Sequence, residues 1–388
     1  MSRSQNQLNT ARRLLERYSF QEPFHLYLKH YFSVNRQHGS TDRRTLRDLC
    51  YAFFRIGHSW KELDIEERIL CAYYLVHPEP LAFLQALRPH WPPPTSLDPL
   101  IRASDLGMSL SAESIFPHSH ELSAGVDASA FALSHLTQPD LFIRIRPGAG
   151  DKVIQRLEDD QLSYRRIGND SIALGNATSL ETRFKIDEEV VVQDLSSQRV
   201  AEMFSLLPER SDWKVWDACA ASGGKSMLLF DHLPNIELTC TDVRPAILNN
   251  LSKRLGRAQV PVVRIQSDDL TIKKDRSELG LFDLIVADVP CTGSGTWSRT
   301  PEQLSSFAIT SIDAYQGRQR QILSNLIPSL APGGFLLYLT CSVFEKENAD
   351  PVAWLTEHHP IQLIQKNLYS GYTQRADTLF AALFQRSA

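Results

Sequence analysis

From Trp213 onward, short apolar segments return at regular intervals: VWDAC, IELTCTDV, VVRIQ, FDLIVADVP and GGFLLYLTCSV, with helix-patterned stretches between them. Near-continuous apolar runs suit strands buried on both faces, as in a parallel sheet covered by helices. The alternation predicts an α/β fold with an open, mostly parallel sheet. Ligands on such sheets bind at the carboxyl edge of the strands. The residues that end each run are therefore the ones to read for chemistry.

Upstream the character differs. Residues 1–90 repeat apolar and aromatic positions at helical spacing, as in LLERYSFQEPFHLYLKHYF and TLRDLCYAFFRIG, and predict a helical domain. WPPPTSLDP (Trp91 to Pro99) cannot continue a helix, and residues 91–138 read as a linker packed on its neighbours. LFIRIRPG (Leu141 to Gly148) alternates apolar and basic residues like a half-buried strand. A helical stretch and three short strand-like runs follow, which makes 139–190 a small α+β domain and 191–388 the catalytic one.

Six cysteines, none spaced CxxC, exclude a disulfide framework and a zinc pattern, so no metal is expected. No apolar run approaches the ~20 residues that span a bilayer, and the N-terminus lacks a signal-peptide core. A cytoplasmic protein with no membrane partner is the expectation. A net charge of −4 does not mark a nucleic-acid binder. Residues 1–60, however, hold ten Lys/Arg against four Asp/Glu, a local excess of six positive charges. That is enough for phosphate contacts, and equally suits a solvated helix face.

Five strand ends carry polar or reactive residues. In VWDACAASGGKSMLL, a strand runs into a loop of small residues and then a helix; Gly223 and Gly224 let the backbone approach a ligand. This is neither GxGxxG nor a phosphate loop, and suits a less highly charged nucleotide-like ligand. Asp242 ends the next strand, where a carboxylate can accept ribose hydroxyls or cap a helix. Asp268 and Asp269 follow VVRIQS, and either can bind an adenine amino group. Asp288, two residues before Pro290-Cys291, and Cys341 end two further strands.

DACAASGGK, DVPCTGSGT and LTCS, in this order, resemble the Fmu/Sun (RsmB-type) family of RNA 5-methylcytosine methyltransferases. The resemblance covers about 190–388. LFIRIRPG resembles the opening strand of the family's RRM-like domain, and HGSTDRRTLRDLCYAFFRIG part of a shortened NusB-like helical domain that binds RNA. The resemblance implies a Rossmann-like class I methyltransferase domain and S-adenosylmethionine as cofactor, held by Cys219, Ala220, Ala221, Ser222, Gly223, Gly224, Lys225, Asp242, Asp268 and Asp288. Asp268 fits the adenine-side acid better than Asp269. It implies Cys341 as nucleophile, Cys291 as the cysteine that assists product release, and Asp288 beside the base. Lys225 would neutralise the acids and lower a neighbouring thiol pKa. Ser222 stands where the family usually has proline, which loosens the loop.

Carbon 5 of cytosine is a poor nucleophile. A thiolate added at carbon 6 makes carbon 5 enamine-like, which is covalent catalysis. The implied partner is RNA, most plausibly ribosomal, and not DNA, with the target cytosine unpaired or flipped. Arg299, Arg318 and Arg320 are candidates for phosphate contact near the site. Arg144 and Arg146 would position a structured RNA, and a monomer is expected. The competing readings are a tRNA enzyme of the same family and a weakly active RNA-binding assembly factor.

Overall fold

Leu8, Ala11 and Leu14 lie on one buried face of helix α1 (Arg3–Arg17), whose first turn is capped by the Ser2 hydroxyl. Helices α2 (Phe24–Val34), α3 (Ser40–Arg55) and α4 (Ile65–Val76) follow. Asp64 caps α4 by accepting the Glu66 N–H. The rings of Tyr18, Phe24 and Phe54 interlock, with Phe24 and Phe54 at 5.0 Å and nearly perpendicular. The computed structural model describes residues 2–233 and 235–387, and they cluster into two units. The helices belong to the first, formed by residues 2–122, 126–138 and 296–309.

Within that unit, residues 91–138 are more structured than a connector. Short helices Pro99–Asp105, Ala112–Ile115 and Ala128–Ser134 start behind Asp98, Ser111 and Asp127, each accepting a backbone N–H. Phe116 and Phe131 are buried against each other, centroids 5.2 Å apart. One or two turns are too short for periodicity to show in sequence. Residues 296–309 also join this unit, although sequence places them in the catalytic region. The buried Glu302 carboxylate accepts the Phe24 N–H, and the Arg55 guanidinium donates to the Ser298 carbonyl.

The second unit comprises the described residues of 123–125, 139–295 and 310–387. Strands β1 (Leu141–Ile145), β2 (Tyr164–Ile167), β3 (Ser171–Leu174) and β4 (Val190–Val192) form an antiparallel sheet in the order β2-β3-β1-β4. Strands β5 (Trp213–Asp217), β6 (Ile236–Asp242), β7 (Arg264–Ser267), β8 (Phe282–Asp288), β9 (Leu330–Thr340), β10 (Ile361–Ser370) and β11 (Thr378–Arg386) form a seven-stranded sheet. Its order is β10-β11-β9-β8-β5-β6-β7; β5 to β9 pair in parallel and β11 is antiparallel to both neighbours. This is the Rossmann-like α/β sheet expected. Val215, Leu284 and Leu337 fill one face, while Trp216, Ile285 and Leu336 fill the other. Burial on both faces is why these runs look apolar throughout.

One sequence expectation fails here. Arg144 and Arg146 are buried rather than presented to RNA. Both guanidiniums close on Asp231, at 2.5 and 2.6 Å, and the Asp231 side chain is itself only 2% exposed. Arg146 also donates to the carbonyls of Asp187 and Ala258. The period-two pattern is real, but both faces of β1 are covered, so the basic positions needed a buried counter-ion.

Candidate functional site

The loop after β5 is shaped by two unusual backbone positions. Ala221 has φ +45°, and Gly223, before helix Gly224–His232, has φ +87°. The positive φ favours glycine at 223, and a Cβ there would also meet the Leu255 side chain tightly, at 3.3 Å. Ser222 does not leave the loop loose. Its hydroxyl and carbonyl both accept from Arg254 at 2.9 Å, and Arg254 is in turn held by the fully buried Asp187. At the end of β5, buried Asp217 accepts the Ser226 hydroxyl at 2.6 Å. Burial, opposed by Ser226 and reinforced by Asp288, pushes its pKa up to about 7.

Next to this loop lies a cavity of about 520 Å³ along the carboxyl edge of the sheet. Cys219, Ala221, Asp242, Asp268, Asp269, Asp288, Cys291 and Cys341 line it together with Arg318. Ala220, Ser222, Gly223, Gly224 and Lys225, expected at the cofactor, are not among the residues that line it. Asp242 accepts the Ala221 N–H at 3.1 Å and the Arg244 guanidinium through both oxygens. Burial alone would raise its pKa, but the hydrogen bonds from Arg244 and Ala221 outweigh it and hold the carboxyl below the usual range. Asp268 is likewise buried, and held low by Arg276 and Lys274. Asp269 turns back on Thr271. Both residues line the cavity, Asp268 with its charge balanced by Arg276 and Lys274.

Lys225 is 8% exposed and reaches Asp288 at 3.1 Å and Ser197 at 2.7 Å. Its ammonium thus neutralises an acid, the first of the two roles expected of it. Arg318 is exposed at the cavity, whereas Arg320 packs over Trp354 with 5.5 Å to the ring centroid. Arg299 belongs to the helical unit.

Beyond Asp288 the two cysteine loops meet. The sulfurs of Cys291 and Cys341 are 3.3 Å apart. Its hydrogen bond to Cys341, then burial, pushes the Cys291 thiol well above its ordinary range. Gly295 allows this approach: its N–H donates to the Cys341 carbonyl, and a Cβ there would sit 2.2 Å from the Thr378 carbonyl oxygen. Beneath both loops lies Glu347, fully buried. Its carboxylate accepts the Thr292 N–H at 2.9 Å, the Thr292 hydroxyl at 2.5 Å, the Ser342 hydroxyl at 2.6 Å and the Gln319 amide at 3.0 Å. Burial raises its pKa in spite of these donors.

A family model described as 16S rRNA methyltransferase RsmB/F matches residues 203–381. Ribosomal RNA small subunit methyltransferase B of Xanthomonas campestris is 33% identical over 45% of this chain and 41% of its own length. A probable enzyme of the same name from Bacillus subtilis is 26% identical over 58% of this chain and 51% of its own. The chain thus spans about half or less of the length of these curated relatives. Among solved structures, PH0851 superposes over 97% of both chains with TM-score 0.69 at 20% identity. A methyltransferase homologue from Pyrococcus horikoshii covers 74% of this chain and 98% of its own, with TM-score 0.58 at 21% identity. These two show the fold.

The residues that sequence reasoning missed are mostly partners of the cavity's lining, with Arg244 part of the lining itself. Glu347, Arg254, Asp187 and Arg244 were missed because each acts on a residue distant in sequence or, for Arg244, by reaching back over its neighbour. A charged residue in FEKEN is ordinarily solvated; only burial distinguishes Glu347 from Glu345.

Proposed function

We propose that this protein methylates carbon 5 of cytosine in RNA, ribosomal RNA in particular, with S-adenosylmethionine as the methyl source. The observation that carries the reading is two thiols 3.3 Å apart on the rim of a cavity that also presents Asp242, Asp268 and Asp288. The residues fit the cofactor. Asp242 is an ionised acceptor beside a small-residue loop, suited to ribose hydroxyls. Its two oxygens already accept four donors, the Ala221 and Arg244 N–H groups and two guanidinium nitrogens of Arg244, about the number of lone-pair sites a carboxylate has, so a ribose hydroxyl binds there by displacing the exposed Arg244 guanidinium. Asp268 and Asp269 are the candidate acceptors for an adenine amino group. When bound, the cofactor supplies a methyl group on a positively charged sulfur.

The chain's own residues supply the rest. Cys341 adds as thiolate to carbon 6 of the cytosine, forming a carbon–sulfur bond and enriching carbon 5 in electrons. Cys291, whose thiol keeps its proton, donates S–H toward the Cys341 sulfur. Asp288, held by Lys225, hydrogen-bonds the base as charge builds on the ring. After loss of the carbon-5 proton to a base, Cys341 leaves, and Cys291 assists that release. The names of the curated relatives favour ribosomal RNA over tRNA. The helical residues 1–90 serve as an RNA-binding region, and the domain boundaries read from sequence remain part of this proposal.

The test uses tritiated S-adenosylmethionine and ribosomal RNA fragments. Wild type transfers label to RNase-sensitive material; Cys341→Ala transfers none. Cys291→Ala accumulates a protein–RNA adduct, a slow band on a denaturing gel that RNase collapses. The reverse trapping pattern would move the nucleophile to Cys291. Absence of transfer to any RNA would sink the reading.

A further inference from the structure

The helical unit carries a concavity of its own, about 480 Å³, between α2 and α3. Lys29 and Phe32 line one wall; Arg43, Arg44, Arg47 and Tyr51 line the other. Arg43, Arg47 and Tyr51 stand at i, i+4 and i+8, one stripe of a helix, each step advancing about 6 Å along the axis. No carboxylate lines the groove, and His25 adds an imidazole.

A solvated helix face ordinarily mixes charges of both signs. On α3 the acids are drawn away or shared. Asp42 is held by Arg3 and Gln7 of α1, and Asp48 touches Arg47 through its Nε at 3.3 Å. Arg43 is fixed, donating to the His38 carbonyl at 2.8 Å and lying over the Phe32 ring at 5.5 Å. Lys29 and Arg44 are exposed and have no hydrogen-bond or ion-pair partner among the described residues. Four permanent cations in one concavity repel one another, so the groove is complementary to an anion with repeated charges. Its aromatic floor and concave form suit a strand of nucleotides better than a flat lipid surface.

We infer that this groove binds the phosphate backbone of RNA, a contact on the helical unit that shares no residue with the methyl-transfer cavity. The inference rests on RNA being the substrate class. It adds that Lys29, Arg44 and Arg47 supply sequence-independent affinity, with Arg43 as the pre-oriented member.

The test is fluorescence anisotropy of a labelled hairpin transcript across a salt series. Lys29→Gln/Arg44→Gln/Arg47→Gln, all exposed positions, should keep the wild-type circular-dichroism melt. It should weaken binding roughly tenfold or more at low salt. The slope of log affinity against log salt should become shallower by about 2 to 3, since each of the three cations neutralises one phosphate. Lys214→Gln/Lys253→Gln/Lys366→Gln removes the same charge elsewhere and should stay near the wild-type slope. Equal slopes for wild type and the groove variant overturn the groove while leaving the RNA reading intact. Equal weakening in both variants reduces the effect to net charge and overturns it too. Wild type that binds phosphatidylserine vesicles but no transcript overturns the groove and the RNA reading together.

Discussion

Replacing Glu347 probes whether the cysteine pair is held from below. In Glu347→Ala, the hydroxyls of Thr292 and Ser342 can turn to each other or to Ser294, since those oxygens already lie 3.2 to 3.3 Å apart. Gln319 keeps its bond to the Pro290 carbonyl. The Thr292 N–H has no substitute, and an orphaned buried donor costs about 1–3 kcal/mol. The void left by the side chain adds to that, giving about 3 kcal/mol in all. Glu347→Gln should cost under about 1 kcal/mol. Its carbonyl oxygen can replace the acceptor facing Thr292 N–H and Gln319, while its NH2 faces two hydroxyls that can accept. Urea unfolding followed by tryptophan fluorescence measures both. Iodoacetamide labelling should show Cys291 and Cys341 reacting faster in the Ala variant. Burial holds the Glu347 carboxyl above its unfolded value of 4.5. Its contribution is therefore full below 4.5 and is lost as pH rises through the folded pKa. The Gln variant should lack that loss. Equal midpoints for wild type and Glu347→Ala would refute the reasoning.

Three further outcomes follow from the site. Asp217 has its pKa raised from 3.8 to about 7, so its stabilising contribution is full below pH 3.8 and lost between there and about pH 7; Asp217→Asn should flatten the stability–pH curve in that window, and an unchanged curve would remove Asp217 from it. Asp242→Ala should weaken S-adenosylmethionine binding by about 1–3 kcal/mol in calorimetry, and unchanged affinity would take Asp242 out of the cofactor site. Gly295→Ala places a Cβ 2.2 Å from a carbonyl oxygen; it should lower the melting temperature and abolish adduct formation, whereas wild-type values for both would show that the loops do not need that approach.

The five parallel strands of the central sheet were legible because they are apolar runs, most of them buried on both faces, whereas β10 and β11, the antiparallel pair at one end of the sheet, were not among the runs read. The cavity residues were legible because chemistry at strand ends concentrates in a few short motifs. What stayed hidden depended on partners far along the chain. Arg144 and Arg146 read as half-exposed because nothing in LFIRIRPG announces Asp231. The helices of 91–138 are one or two turns long and leave no periodic trace. Ser222 looked like a loss of rigidity because the guanidinium that holds it lies 32 positions downstream.

That last contact sets where the catalytic unit can be cut. Asp187 lies before β4, outside the seven-stranded sheet, yet it is the counter-ion for Arg254 and Arg257 and, through Arg254, the anchor of Ser222. A fragment starting at residue 191 would keep every strand of the Rossmann-like sheet and every cavity-lining residue. It would also leave two guanidiniums without their carboxylate, one of them the Arg254 that tethers the loop. The smallest portable form of this domain therefore begins upstream of Asp187, and any exchange of parts between relatives has to carry the small sheet along with the large one.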